Sequence, residues 1–108
     1  ANPSSMQAAL ENFKLMQAEH KMAILGAMRE LGEVSAEEHQ HVVDYLKATD
    51  VETVWLVGEE FEDTKCDYRK FKDVEEVKAA IAAEKPEGHY ILIKGSNSTK
   101  LYQLPELL

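Results

Sequence analysis

Two segments of this 108-residue chain hold side chains with chemistry at their disposal. The first is Tyr90-Ile91-Leu92-Ile93-Lys94-Gly95-Ser96-Asn97-Ser98-Thr99-Lys100-Leu101. It breaks from an apolar, β-branched run into a loop with two lysines, a glycine and several hydroxyl and amide groups. A buried parallel strand whose carboxyl end faces a polar ligand has this pattern, because ligands of open α/β sheets gather beyond those strand ends. Gly95 would let backbone approach a ligand closely. Lys94 and Lys100 bring positive charge to a chain whose formal charge is -8. The second segment, Ile24-Leu25-Gly26-Ala27-Met28-Arg29-Glu30-Leu31-Gly32-Glu33, runs from a short apolar strand into a loop, ahead of a helix carrying His39. Any solvated strand-exit turn is also polar, so composition alone leaves both loops open to either interpretation.

The remaining candidates are weaker. His39 and His41 lie about 200° apart on a helix of 3.6 residues per turn and cannot chelate one ion together. His39 falls on the apolar face of its helix, where it packs in the core or braces a loop. Glu59, Glu60, Glu62 and Asp63 surround Phe61 with the oxygen ligands that suit Mg²⁺. The same composition describes a solvated loop, and no metal site is assigned there. Cys66 has no neighbour pattern that would activate a thiol. Trp55 lies inside a strand and belongs to the core.

The elements that must position these groups alternate. Asn2 caps a first helix with Pro3 at its first position, or Ser4 and Gln7 form a capping box one turn later. Met6, Leu10 and Phe13 mark its buried stripe. Strands are expected over 22–25, 53–57, 68–71 and 90–93. A second helix starts at Ser35 with a capping box to Glu38. A third is capped by Asp73 with Glu76, and 104–108 form a turn or short helix. Strands alternating with helices predict an α/β fold: a three-layer, Rossmann-like, mostly parallel sheet of about four strands with flanking helices.

Composition narrows the function. The hydrophobic fraction of 44% and charged fraction of 30% describe one ordinary globular domain. The acidic balance argues against nucleic-acid binding, which rests on clustered Lys and Arg. No apolar run approaches the roughly 20 residues that span a bilayer, so no membrane role is expected. The lone Cys66 fits a reducing, cytoplasmic setting. None of the five glycines falls in a Gly-x-x-x-x-Gly-Lys-Ser/Thr or Gly-x-Gly-x-x-Gly motif, so the chain does not cradle a triphosphate by the usual loop.

Taken together, Leu25, Gly26, Met28, Glu30, Leu31, Gly32, His39, Lys94, Gly95 and Ser96 resemble the C-terminal domain of the Mur ligases. There the first segment commonly reads Leu-Gly-Asp-Met-x-Glu-Leu-Gly, and the last strand ends Val-Lys-Gly-Ser. Ala1-Asn2-Pro3 is similar to the end of a Tyr-Asn-Ala-Asn-Pro motif at the hinge before that domain. The pattern is most like the branch that adds D-alanyl-D-alanine to UDP-N-acetylmuramoyl-tripeptide in peptidoglycan biosynthesis. The resemblance implies an ATP- and Mg²⁺-dependent carboxylate–amine ligase as the full-length protein. It further implies that residues 1–108 are the closing domain, with the central ATP-binding and N-terminal UDP-binding domains absent and the fragment inactive alone. Lys94, Gly95 and Ser96 would then help place the incoming dipeptide or the tripeptide end, Arg29 and Glu30 would meet the substrate, and Asn2 and Pro3 the nucleotide. Arg29 and Glu30 could instead contact the central domain, or belong to a turn holding Leu31 in the core. Asn2 and Pro3 are also explained by helix capping alone. Two departures stand out: Ala27 replaces the usual Asp, and Asn97-Ser98-Thr99 replaces Arg-Gly-Met. Another Mur-type or folylpolyglutamate synthase-like ligase is the alternative. A receiver-like binding module fits less well, because the first strand exits into Gly26-Ala27-Met28 with no acidic pair.

Overall fold

The structure, a computed structural model, describes residues 2–95 and 99–108. Helix α1 (Pro3–Leu15) opens on a reciprocal cap: Ser5 N–H donates to Asn2 Oδ1 at 2.8 Å, and Asn2 N–H donates to Ser5 Oγ at 3.0 Å. The box therefore spans Asn2 and Ser5, not Ser4 and Gln7. The far end of α1 is held by a buried cation. Lys21 is 1% exposed, and its Nζ donates to the carbonyls of Phe13 at 2.9 Å and Lys14 at 3.2 Å. It also pairs with Asp50 at 3.3 Å and lies 5.5 Å from the Phe13 ring centre. These carbonyls belong to the last turn of the helix, where a cation is favoured. The contact draws the carboxyl end of α1 to the first residue of strand β1 (Lys21–Gly26).

Helix α2 (Ser35–Lys47), strand β2 (Thr53–Val57), strand β3 (Arg69–Phe71), helix α3 (Val74–Ala83) and strand β4 (Tyr90–Lys94) follow. The four strands are all parallel, in the order β3-β2-β1-β4. Their boundaries differ by a residue or so from those the sequence suggests: β1 begins at Lys21 and runs through Gly26, β3 begins at Arg69, and β4 reaches Lys94. Helix α2 does start at Ser35, but without the expected box to Glu38. A 3-10 turn over Gly32–Val34 feeds straight into it, so Ser35 already has helical backbone and its side chain caps nothing. Helix α3 is capped as expected, Glu76 N–H donating to Asp73 Oδ1 at 3.1 Å. The Glu76 carboxylate reaches back to Lys72 N–H at 2.6 Å. The tail forms two 3-10 turns, Leu101–Gln103 and Pro105–Leu107.

Side-chain alternation splits the core into two layers. Ala23 and Leu25 of β1, with Val54 and Leu56 of β2, face Met6, Leu10 and Phe13 of α1 and Val42, Val43 and Leu46 of α2. Met22 and Ile24, with Trp55 and Val57, face Val74, Val77 and Ile81 of α3 and the tail residues Leu101 and Leu104. The connection from β1 to β2 steps one way across the sheet, and that from β3 to β4 steps back past β1. Right-handed crossovers then place α2 and α3 on opposite faces.

Two measurements test this layout. Lys21→Met takes the ammonium donor from the Phe13 and Lys14 carbonyls, leaving the first only its bond from Met16 N–H, and is expected to cost about 1–3 kcal/mol in urea unfolding. The second concerns the amino edge of the sheet, where His20 Nδ1 meets Glu52 Oε2 at 2.7 Å. The hydrogen bond to Glu52 raises the His20 pKa above its ordinary 6.5, and the same bond lowers that of Glu52 below 4.5. The His20 contribution to stability is complete below pH 6.5 and fades as pH rises through the folded value. The Glu52 contribution is complete above 4.5 and fades as pH falls through its folded value. An NMR titration should place the His20 midpoint above 6.5, with Glu52→Gln bringing it back toward that value.

Candidate functional site

Because every strand is parallel, all four exits reach one edge of the sheet. The strand order reverses between β1 and β4, which is where open α/β sheets place their ligands. At that point the backbones close on each other. A Cβ added to Gly26 would lie 2.7 Å from Thr99 Oγ1 and 3.1 Å from Gly95 Cα. One added to Gly95 would lie 2.6 Å from Thr99 Oγ1 and 2.9 Å from Leu101 Cδ1. Thr99 is buried and fills the seam. Gly95 thus serves contact between the β4 and β1 exits.

The open space lies beside this seam, toward α3. A cavity of about 250 Å³ is lined by Arg29 from the β1 exit, Val57 and Gly58 at the β2 exit, Lys72 through Glu75 from the β3 exit and the start of α3, and Thr99 and Lys100 from the segment after β4. Arg29, Lys72 and Lys100 supply three cations against the carboxylates of Asp73 and Glu75. Asp73 is also committed to capping α3, and Arg29 Nη1 donates to Glu60 Oε2 at 2.6 Å. Such a wall suits a small polar ligand carrying both charges, with an anionic end directed to the cations.

Of the residues singled out from sequence, Arg29 lines this cavity. Glu30 is exposed at φ 60°, one of two described non-glycine residues in the left-handed region, and makes the turn that leaves the cavity. Lys94 closes β4, pairs in register with Leu25, and by alternation lies on the α1/α2 face with Leu92, away from the cavity. Ser96 falls outside the described residues, as do Asn97 and Ser98. Asn2 caps α1 and Pro3 opens it, Pro3 lying beside Glu38 and His41 of α2, on the other side of the sheet from the cavity. Ala27 is fully buried: its N–H donates to Val57 O at 2.7 Å, and its methyl group faces Gly58. Lys72 and Asp73 were not marked as site residues by the sequence. They join because β3 sits beside β2, and strand order leaves no trace in spacing.

The loop over Met28–Glu30 is held from behind. His39 is fully buried, and its Nε2 accepts the Met28 N–H at 2.9 Å. Its Nδ1 meets the Ser35 carbonyl at 2.6 Å, and the ring stands edge-on to Phe61, 4.7 Å between centres. The loop-bracing interpretation of His39 fits this geometry, and Trp55 is in the core as expected. Among the described residues no group of three His, Cys, Asp or Glu side chains could hold a metal ion. Nor, among the described residues, does a run of successive glycines offer its amides as a phosphate cradle.

Comparison with known proteins gives this edge a context. Residues 1–97 match the Mur ligase, glutamate ligase domain family. The chain is 37% identical over 107 residues to a UDP-N-acetylmuramoyl-tripeptide--D-alanyl-D-alanine ligase of Rickettsia prowazekii (strain Madrid E), covering 94% of the chain and 24% of that protein. It is 32% identical over 117 aligned residues to the ligase of the same name from Treponema pallidum (strain Nichols), covering all of the chain and 26% of that protein. Among solved structures, MurF ligase from Thermotoga maritima in complex with ADP superposes with a TM-score of 0.76 at 28% identity, over 99% of this chain and 25% of that one. MurF from Acinetobacter baumannii superposes at 0.78 and 26% identity, over 98% and 25%. The chain thus spans about a quarter of the length of these relatives.

The glycines at the edge give a graded test. Gly58→Ala meets the Ala27 methyl at 2.5 Å and must also hold φ 126°, whereas Gly32→Ala meets no atom within 4 Å and pays only for φ 59°. Thermal unfolding should show the first losing about 3 kcal/mol or more and the second about 1 kcal/mol.

Proposed function

The chain belongs to the Mur ligase family, as its glutamate ligase domain, and from that membership we propose that it is the C-terminal domain of the ATP-dependent ligase that joins D-alanyl-D-alanine to UDP-N-acetylmuramoyl-tripeptide. The observation that carries the assignment is the pairing of family with site. Two relatives at 37% and 32% identity bear that activity in their names. The carboxyl edge of the sheet offers a small cavity walled by Arg29, Lys72 and Lys100. In this assignment, residues 1–3 belong to the hinge and the central and N-terminal domains lie elsewhere in the parent protein. The enzyme acts in the cytoplasm on a soluble nucleotide-linked substrate; among the described residues no helix is long and apolar enough to cross a membrane.

The chemistry divides accordingly. ATP and Mg²⁺ supply phosphoryl transfer to the acceptor carboxylate. The described residues here include neither a phosphate cradle nor a metal donor set, so both groups are assigned to the parent's other domains. This domain's share is orientation. The dipeptide's terminal carboxylate takes the cationic wall, with Arg29 as the principal contact, and its amine is left free to attack the activated acceptor. Closing the domain over the central one excludes water from that intermediate. In this assignment Ser96 acts on the dipeptide from the loop after β4, while Lys94, on the α1/α2 face, and Gly95, in the seam with Gly26, are not given a contact with it. Glu30 lies at the rim of the cleft, and Asn2 and Pro3 stand at the hinge toward the nucleotide.

The test uses the parent ligase. Phosphate release from ATP should require UDP-muramoyl-tripeptide and D-alanyl-D-alanine together. Release with a single amino acid, or with a folate and glutamate, would move the assignment to another Mur-type or folylpolyglutamate synthase-like ligase. The 108-residue chain alone should show no turnover. Arg29→Ala should raise the KM for the dipeptide by about ten- to a hundredfold, the scale of one charge-assisted hydrogen bond, with little change in the KM for the tripeptide.

A further inference from the structure

We infer that His39, which touches no part of the cavity, is a positioning residue for it: as a neutral imidazole protonated on Nδ1, it holds the Met28 amide and thereby sets where Arg29 stands. This inference rests on the dipeptide assignment made above for the Arg29 wall. The tautomer follows from its partners. Met28 N–H is a donor, so the Nε2 it meets at 2.9 Å must offer a lone pair. The Ser35 carbonyl is an acceptor, so Nδ1, at 2.6 Å, must carry the proton. No other orientation or tautomer of the ring satisfies both partners, and the fully buried ring is closed to bulk solvent.

The placement ties together two strand exits. Met28 belongs to the β1 exit and is directly followed by Arg29. Phe61, against which the ring stands at 87°, belongs to the β2 exit and directly follows Glu60. Arg29 and Glu60 then meet each other at 2.6 Å, closing a loop of contacts through His39, Met28, Arg29, Glu60 and Phe61. The Arg29 backbone is restrained on one side by this bond and on the other by Glu30, whose φ of 60° permits few alternatives. Without the acceptor at Nε2, the Met28 amide is a buried donor with nothing to donate to, and the loop gains by turning it toward water. Arg29 would move with it.

Two substitutions separate positioning from bulk. His39→Gln can accept at Oε1 and donate at Nε2, preserving both bonds with a neutral side chain. His39→Leu keeps much of the volume and removes both. In the intact ligase, His39→Leu should raise the dipeptide KM about tenfold, the effect of one buried hydrogen bond left unmade, while the tripeptide KM stays within about twofold. His39→Gln should restore most of the loss. Equal dipeptide KM values for the two variants, or a parallel rise for both substrates, would overturn the inference. Selective ¹⁵N labelling of the same ligase gives a readout free of substrate. A coupling across the hydrogen bond between Met28 N and His39 Nε2, with Nδ1 as the protonated nitrogen, is expected, and its absence would equally overturn it. If wild-type ligase shows no dipeptide dependence, the substrate assignment fails, while this coupling still reports on His39 by itself.

Discussion

Strand β1 has no free side. It pairs with β2 on one edge and β4 on the other, and every one of its residues is buried. All of its neighbours run parallel to it, so each connection must cross a face of the sheet and bring a helix or turn with it. Everything else in the domain answers to that constraint. α1 and α2 cover one face, α3 and the tail cover the other, and the four exits have one edge on which to gather. A strand buried on all sides must also leave the sheet through a crowded gap, which is why its last residue is Gly26 and its neighbour across the seam is Gly95.

That crowding decides what the edge can offer. Between β1 and β4 the backbones and Thr99 leave no room, so the strand reversal itself is filled. Space opens one step away, over β2 and the start of α3, where Gly58 has no side chain and the long chains of Arg29, Lys72 and Lys100 form the wall. The cations of the wall come from three separate exits. A ligand that met them all would be sensing the relative placement of three strands, which suits a domain whose task is to hold a substrate in register with chemistry supplied from elsewhere. The buried Lys21 and His39 work at opposite ends of this frame: one ties α1 to the start of β1, the other ties the β1 exit to α2.

Much of this was legible in the residues. Continuous apolar runs located β1, β2 and β4, because a strand packed within a parallel sheet is continuous in hydrophobicity and ends sharply at polar or glycine residues; the edge strand β3, Arg69–Phe71, has no such run. The caps at Asn2 and Asp73 were readable because an N-cap is a local device, set by a side chain and an amide three residues on. Ser35 shows the limit of that logic. Its local pattern fits a capping box, yet the 3-10 turn ahead of it and the demands of His39 bring its backbone into the helix. His39 could be placed on an apolar face by periodicity, but not its partner Met28, eleven residues back in the chain.

The sequence by itself determined the class of fold, the order of elements, the buried faces and the two loops that carry polar chemistry, since each depends on neighbours within a few positions along the chain. Only the tertiary structure decided that Arg29 shares a cavity with Lys72 and Lys100, that Lys94 falls on the opposite face from it, and that Gly26 and Gly95 are kept small by one another. Those facts depend on strand order and on the pleat of each strand. Both are settled by which surfaces pack together when the whole chain closes, and no local stretch of residues contains that information.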